Sequence, residues 1–307
     1  MPSKATVVYS PDRAPDAVID GDNVRLACYT DGDPAQPALV FVHGYPDTAH
    51  VWDRLIDRLA RHFFCVRYDV RGAGRSERPH SPLAYRLEHL KHDLAAVIDW
   101  ASPTAAIHLI GHDWGSIQSW EAATDPAMAE RIATFTTLSG PCLDHLGRYL
   151  RSARAIRPAA LLQQLRRSWY IGVFHLPIVA PLLWRRLLAG RWPQTLARLE
   201  GETLPVAPTL ANDGRYGIQL YRANVVPRLL RPRARRALMP VQAIVARRDP
   251  FVSPAIAQLM SDWVADLTVD EIDAGHWAIM SHAPTVADLI ERYLWSHLEH
   301  HVDRLSF

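Results

Sequence analysis

Short apolar segments alternate with segments of helical spacing along most of the 307-residue chain. In LEHLKHDLAAVIDW, the apolar residues Leu87, Leu90, Leu94, Val97 and Ile98 fall on one face of a helix. WDRLIDRLA has the same kind of spacing. The candidate strands are, in order, AVID, VRLACYT, ALVFV, FFCVRYDV, AIHLI, ATFTTL, VQAIVA and LTVDEID. This alternation predicts an α/β protein with a largely parallel sheet covered by helices.

The alternation stops after ATFTTL and resumes only at VQAIVA, and the intervening segment also differs in charge. Residues 141–240 contain 17 arginines and no lysine against four acidic residues, a net charge of +13, whereas the remainder carries −11. A change of pattern and of charge together indicates a separate lobe. We therefore expect an α/β core formed by residues 1–140 and 241–307, interrupted by a helical cap at 141–240.

Composition narrows the class of protein. Hydrophobic residues make up 49% of the chain and charged residues 21%, as in folded globular proteins. The net charge of +2 and the lack of a nucleic-acid-binding motif predict no nucleic-acid partner. No apolar run is long enough for a membrane span. Three distant cysteines, Cys28, Cys65 and Cys142, do not form a disulfide framework and favour a cytoplasmic location.

The sequence Gly111-His112-Asp113-Trp114-Gly115 directly follows the candidate strand AIHLI and precedes a predicted helix. This layout is typical of a nucleophile elbow, with aspartate at the central position. Asp113 would then lie beside the positive end of the helix and could attack a saturated carbon. A simple glycine turn is the alternative explanation.

Two further residues complete a candidate triad. Asp249 follows the strand VQAIVA, and His276 follows the last strand. Taken alone, Asp249 could be a helix N-cap and His276 a loop histidine. Together they have the chain order nucleophile, acid, histidine at the ends of three strands, which predicts Asp113 as nucleophile, His276 as base and Asp249 as its orienting acid.

A fourth strand end, in His43-Gly44-Tyr45-Pro46, faces the elbow. There the main-chain N–H groups of Tyr45 and Trp114 are the candidate oxyanion hole, with an ordinary turn as the alternative. The glycines between Asp69 and Ser76 lack the spacing of a phosphate-binding loop and predict a structural turn.

With these residues in place, the chain resembles the α/β-hydrolase superfamily, and within it the epoxide hydrolases, over essentially its whole length. The motifs that carry the resemblance are HGYPDTAHVW, RYDVRGAGRSERP, GHDWGS, RRDPFVS and AGHW. It implies an α/β-hydrolase fold with an inserted helical cap. The chain looks especially similar to the hydrolase half of bacterial proteins that fuse an epoxide hydrolase to a short-chain dehydrogenase. It is therefore either a stand-alone relative or one domain of such a fusion, with a short-chain dehydrogenase as the candidate fused domain or partner. Ser116 departs from the glycine that many relatives carry, which should affect packing more than chemistry.

The resemblance also implies a role for two cap tyrosines that hydrogen-bond the epoxide oxygen. Tyr170 begins YIGVFHLP and Tyr221 lies in QLYRAN, as in the family's two tyrosine segments. Packing alone is the alternative role. The implied reaction forms an ester on Asp113, which a His276-activated water hydrolyses to give a vicinal diol. It needs no metal or organic cofactor.

The expected partner is a small, lipophilic epoxide, as the cap aromatics Trp169, Phe174, Trp184 and Trp192 indicate. Two other functions stay open. A haloalkane or haloacid dehalogenase shares Asp113, His276 and the elbow tryptophan, although Tyr45 stands where many dehalogenases have asparagine. A catalytically silent ligand-binding or scaffold protein of the same fold is the other alternative.

Overall fold

The computed structural model describes residues 10–152 and 166–304. Its eight-stranded sheet has the order β1-β2-β4-β3-β5-β6-β7-β8. The strands are β1 (Ala17–Asp20), β2 (Arg25–Asp31), β3 (Ala38–Val42), β4 (Phe64–Tyr68), β5 (Ile107–His112), β6 (Ile132–Leu138), β7 (Val241–Ala246) and β8 (Leu267–Ile272). Strand β2 is antiparallel to β1 and β4, and all other pairs are parallel. The predicted, mostly parallel α/β sheet is confirmed.

Helices cover this sheet and fill most of the chain between β6 and β7. They are α1 (Asp53–Leu59), α2 (Leu87–Ala101), α3 (Trp114–Ala123), α4 (Leu143–Arg151), α5 (Trp169–Phe174), α6 (Val179–Leu183), α7 (Ala189–Glu200), α8 (Leu210–Leu230), α9 (Ala278–Ser281) and α10 (Ala283–Arg304). A π-helical turn, Trp184–Leu188, joins α6 to α7. The segment Pro254–Asp262, between β7 and β8, adopts the tighter 3₁₀ form.

The core explains why these segments form these elements. All five residues of β3 and all six of β5 are buried, as expected for central parallel strands covered on both faces. The predicted apolar face of α2 is buried against the sheet. Since β3, β5, β7 and β8 are parallel, the loops that follow them meet at one edge of the sheet. That edge carries the four candidate segments of the site.

Helices α4 to α8 lie between β6 and β7 in the chain, within the predicted cap of 141–240, whose residues 153–165 lie outside the described residues. Several of its arginines are paired. Arg228, Arg233 and Arg235 contact the buried carboxylates of Glu121 and Asp144. These ion pairs connect the arginine-rich segment 141–240 to Glu121 on α3 of the core. Part of the positive charge of this segment therefore pairs with buried carboxylates.

Two further observations concern the chain as a whole. The three cysteines are buried and unbonded to one another. Within residues 10–152 and 166–304, no helix is both long enough and apolar enough to cross a bilayer.

Candidate active site

Asp113 lies at a sharp turn between β5 and α3. Its backbone has φ 51° and ψ −123°, a conformation that an aspartate adopts only under constraint. Its N–H donates to the Leu138 carbonyl and its carbonyl accepts from the Ile117 N–H, both at 3.0 Å. A Cβ atom at Gly115 would lie 1.9 Å from the Val42 carbonyl oxygen, so only glycine fits beside the strand. The elbow therefore holds the carboxylate above the strand ends, at the positive end of α3.

The two oxygens of Asp113 have different surroundings. Oδ1 accepts the main-chain N–H of Tyr45 at 2.8 Å, and Oδ2 lies 3.5 Å from Nε2 of His276. The side chain is 13% exposed, so substrate can reach it. Trp114 is the first residue of α3, where a main-chain N–H has no acceptor within the helix. Both N–H groups predicted for an oxyanion hole thus flank the candidate nucleophile.

His276 and Asp249 are buried and directly bonded. Nδ1 of His276 lies 2.8 Å from Oδ2 of Asp249, whose Oδ1 accepts the N–H groups of Phe251 and Val252. Burial opposes a charge on the imidazole, but the carboxylates of Asp249 and Asp113 outweigh it and hold the pKa of His276 well above its usual value. Burial likewise disfavours the Asp249 charge, but His276 and the hydrogen bonds lower the pKa of Asp249. The structure brings the three candidate triad residues together.

Tyr170 on α5 and Tyr221 on α8 place two phenol rings over the same region. Their ring centres are 5.9 Å apart, and the Tyr221 ring lies 4.8 Å from that of Trp114. Burial, with the charge of Asp113 among the further causes, raises the pKa of both phenols. Hydrogen bonds from Tyr221 to Tyr170 and from Trp114 to Tyr221 only partly offset this rise. Both groups are therefore protonated donors at neutral pH.

The site opens into a cavity with two lobes. The larger has a volume of about 650 Å³, and the smaller about 360 Å³. Both are lined by Asp113, Tyr170, Tyr221 and Phe251, so the candidate nucleophile Asp113 lies where they meet. Tyr45, His276 and the four aromatics singled out in the sequence, Trp169, Phe174, Trp184 and Trp192, line the larger lobe. Ile117, Leu143, Leu146, Val225 and Leu229 line the smaller one. All seven predicted site residues thus lie in or directly behind one apolar cavity.

The sequence did not predict two polar residues beside the triad. Nε2 of His112 lies 2.9 Å from the carbonyl oxygen of His276. Burial, with the nearby His276 as a second cause, lowers the pKa of His112 to about 4, so its neutral ring donates this hydrogen bond. Asp47 accepts the indole N–H of Trp277 at 3.0 Å, and burial raises its pKa to about 7. Their only sequence signal was their position inside the motifs GHDWG and HGYPD.

The serine that departs from the family pattern is part of the packing below the elbow. Ser116 is buried, and its hydroxyl donates to the carbonyl of Gly140 at 2.7 Å and lies 2.5 Å from the hydroxyl of Thr137. These contacts join α3 to the end of β6 and do not reach the cavity lining.

In the glycine-containing turn after β4, the side chain of Asp69, a residue of the turn itself, accepts hydrogen bonds from main-chain N–H groups. The Asp69 carboxylate accepts the N–H groups of Ala49 and Arg75 at 2.9 and 2.8 Å. A carboxylate at this position repels a phosphate, so the turn has the structural role that the sequence predicted.

Comparison with known proteins gives the chain a family. The profile of the α/β-hydrolase fold matches residues 37–283. "Probable oxidoreductase EphD" of Mycobacterium tuberculosis is 37% identical over 286 residues, which is 89% of this chain and 48% of that protein. The chain therefore spans about half the length of this curated relative. "Epoxide hydrolase A" of the same organism is 34% identical over 128 residues, 41% of this chain and 38% of that protein.

Solved structures show the same fold. An epoxide hydrolase from Bacillus megaterium, in complex with an inhibitor, superposes with a TM-score of 0.75 at 22% identity, over 92% of this chain and 100% of the other. The epoxide hydrolase VrEH1 from Vigna radiata superposes with a TM-score of 0.70 at 21% identity, over 91% and 97% of the two chains. At these identities the likeness concerns the fold.

Proposed function

The chain belongs to the α/β-hydrolase fold family, and we propose that it is an epoxide hydrolase that opens an epoxide to a vicinal diol. One observation carries the proposal: the Asp113 carboxylate and the phenols of Tyr170 and Tyr221 line one apolar cavity. A carboxylate can attack a saturated carbon, and the alkoxide that leaves an epoxide carbon needs a proton donor. The relatives named as epoxide hydrolases support this activity.

The first step forms an ester. Oδ2 of Asp113 attacks one epoxide carbon, the bond from that carbon to the ring oxygen breaks, and the alkoxide takes a proton from Tyr170 or Tyr221. Tyr45 keeps Oδ1 of Asp113 in place through its main-chain N–H. The products are a hydroxyalkyl ester and a phenolate held by the second phenol.

The second step hydrolyses that ester. His276 takes a proton from water, and the hydroxide attacks the Asp113 carbonyl carbon, whose oxyanion is stabilised by the Tyr45 and Trp114 N–H groups. Collapse breaks the ester bond, and the departing alkoxide recovers the proton from His276. The proton left on the Asp113 carboxyl group then returns to the phenolate and regenerates the phenol. The net reaction converts one water and one epoxide into one diol.

The charge on Asp113 couples these two steps. In the free protein, two carboxylates favour a proton on His276. Esterification neutralises Asp113 and leaves only Asp249, so the imidazole loses its proton more readily once the ester has formed. His276 therefore becomes a base at the point in the cycle where a base is needed.

The two-lobed cavity favours an epoxide with an apolar substituent on each carbon. Asp113 lies where the lobes meet, so a ring opened there would place one substituent in each lobe. Burial of each apolar substituent removes apolar surface from water, which favours binding by about 25 cal/mol per Å² of surface buried. A terminal epoxide would leave one lobe empty.

Diol formation from a panel of epoxides tests the proposed function. The panel contains trans-stilbene oxide, styrene oxide and propylene oxide, and diols are measured by chromatography with mass detection. We expect the highest kcat/KM with the disubstituted epoxide and the lowest with propylene oxide, and no catalysed diol formation by the Asp113→Ala variant. No diol from any substrate, or equal rates with the Asp113→Ala variant, would refute the proposal.

A further inference from the structure

Glu200, on the helical segment between β6 and β7, contacts the loop that carries the candidate base. It is the last residue of α7, is 9% exposed and precedes Gly201, which ends the helix in a left-handed conformation. Its Oε1 accepts the main-chain N–H of Trp277 at 2.9 Å, and its Oε2 accepts the hydroxyl of Ser281 at 2.7 Å. Trp277 directly follows His276, so this carboxylate binds the backbone one residue from the base.

The same carboxylate also packs on the residue before the base. A Cβ atom at Gly275 would lie 2.4 Å from Oε1 of Glu200, which shows how closely the main chain approaches it. Glu200 is thus close to the main chain at Gly275 and hydrogen-bonded to that of Trp277, and His276 lies between these two residues. A shift of Glu200 must therefore move the backbone that carries the imidazole.

This placement is unfavourable for the helix itself. The carboxyl end of a helix is its negative end, where a buried carboxylate is repelled by the last carbonyl groups. Both hydrogen-bond donors named for Glu200, the Trp277 N–H and the Ser281 hydroxyl, are neutral. A buried acid in this position is costly to the helix, so its contacts with the His276 loop are its evident use.

Trp277 extends the contact to the oxyanion side of the site. Its indole N–H donates to Asp47, two residues after Tyr45, and its ring lies 4.6 Å from His276 and 5.6 Å from Trp192 of α7. Trp277 therefore joins α7, the base and the loop that follows β3. Glu200 holds it from the side of α7.

We infer that Glu200 is a positioning residue that sets the place of His276 for hydrolysis of the Asp113 ester. The inference rests on the proposed two-step reaction. Asp113 and the two phenols suffice for alkylation, whereas ester hydrolysis needs His276 in line with a water. Loss of Glu200 should therefore slow the second step and spare the first. A purely structural role would affect both steps alike.

Rapid-mixing kinetics of four variants test this assignment with trans-stilbene oxide. Glu200→Ala removes both hydrogen bonds, Glu200→Gln retains an acceptor for the Trp277 N–H, and Ser281→Ala removes only the bond to Oε2. Glu202→Gln is the matched control, because Glu202 is an exposed acid two residues away that contacts Arg54 at 3.5 Å.

We expect Glu200→Ala to slow ester hydrolysis on the order of a hundredfold, since a displaced catalytic group costs about that much, while alkylation changes by less than about threefold. Glu200→Gln should recover most of the lost rate of ester hydrolysis. The rate in Ser281→Ala should lie between those of Glu200→Gln and the wild type, and the rate in Glu202→Gln should equal that of the wild type. Equal slowing of both steps, no change in Glu200→Ala, or a Glu200→Gln variant as slow as Glu200→Ala would overturn the assignment.

A second measurement separates this assignment from the proposed function. The proton on Nδ1 of His276, bonded to Asp249, should give a strongly downfield NMR resonance without any substrate. We expect Glu200→Ala to shift or broaden this resonance, and Glu200→Gln and Glu202→Gln to retain it. An unchanged resonance in Glu200→Ala would overturn the positioning role even if the wild type opened no epoxide. Packing of Trp192 on Trp277 and burial of Leu196 in the core should keep α7 folded in these variants. If Glu200→Ala does not fold, Glu200→Gln and Ser281→Ala decide the kinetic test.

Discussion

The main-chain N–H of Tyr45 donates to Oδ1 of Asp113 over 2.8 Å. This hydrogen bond holds the carboxylate that we propose as the nucleophile. In the proposed ester, the same N–H would face the oxygen that becomes negative when water attacks the carbonyl carbon. One main-chain group can therefore serve both steps without moving.

The side chain of Tyr45 gives a first prediction. Its hydroxyl is buried and makes no hydrogen bond with the described residues, while its ring packs on Phe174, Trp184 and Tyr221. Tyr45→Phe keeps the ring and removes the unsatisfied hydroxyl, so we expect the free energy of unfolding to rise by about 1 kcal/mol. Urea unfolding at neutral pH measures this change. A fall in stability would show that the hydroxyl has a partner.

The phenol pair gives a second prediction. Losing one donor to a developing charge costs about 3 kcal/mol, so Tyr170→Phe and Tyr221→Phe should each slow ester formation on the order of a hundredfold. The double variant should be nearly inactive because both phenols serve one oxygen. Stopped-flow fluorescence follows this step, with Trp114 beside the nucleophile as reporter.

The response to a halogenated substrate distinguishes epoxide hydrolysis from dehalogenation. Halide leaves as a stable anion and needs no phenol, so we expect the wild type to release no bromide from 1-bromoalkanes. Bromide release at a rate comparable to epoxide turnover, or unchanged alkylation in the double phenylalanine variant, would favour the dehalogenase instead.

The pH dependence of ester hydrolysis gives a third prediction. The base must be neutral, so the rate should rise as pH rises through the pKa of His276 in the ester. Asp249 raises that pKa, and Asp249→Asn removes its charge. The rise should then move to lower pH, and the plateau should fall on the order of a thousandfold because the ring loses its orienting partner. Single-turnover rates across pH measure both effects. An unchanged midpoint would show that Asp249 does not act on the base.

Asp47 gives a fourth prediction, on stability. Burial raises its pKa to about 7, from an ordinary value of 3.8. Between these pH values the folded protein keeps a proton that the unfolded chain releases, so this group lowers the free energy of unfolding as pH rises. Asp47→Asn removes that contribution. Urea unfolding at about pH 5 and about pH 8 should show a smaller difference in the variant than in the wild type. The exposed Asp33→Asn should keep the wild-type difference, and an equal difference in Asp47→Asn would contradict the prediction.

Strand pattern predicted the sheet, and the position of motifs at strand ends predicted five of the seven candidate site residues. Asp113, Asp249 and His276 each follow a strand, and the strands of one parallel sheet deliver such residues to a common edge. That relation holds whatever the details of packing. The positions of Tyr170 and Tyr221 came from resemblance instead, because helical spacing alone does not distinguish a cavity tyrosine from a packed one.

The residues around the triad could not be predicted for a physical reason. Glu200 reaches Trp277 across 77 positions of sequence, and only the seating of α7 on the core brings the two together. His112 lies inside the elbow motif, but nothing in that motif predicts its hydrogen bond. The bond is to the carbonyl of His276, 164 positions away. Contacts of this range depend on the packing of helices, which apolar periodicity does not specify.

The most direct test of the account is intact-protein mass spectrometry of His276→Gln after addition of an epoxide. Ester formation needs Asp113 and the phenols, whereas hydrolysis needs the base, so this variant should accumulate the ester. We predict a stable mass increase equal to one substrate, located by proteolysis on the peptide that contains Asp113. The Asp113→Ala variant should show no increase. Normal turnover by His276→Gln, or an adduct on another peptide, would contradict the assignment of Asp113 as nucleophile and His276 as base.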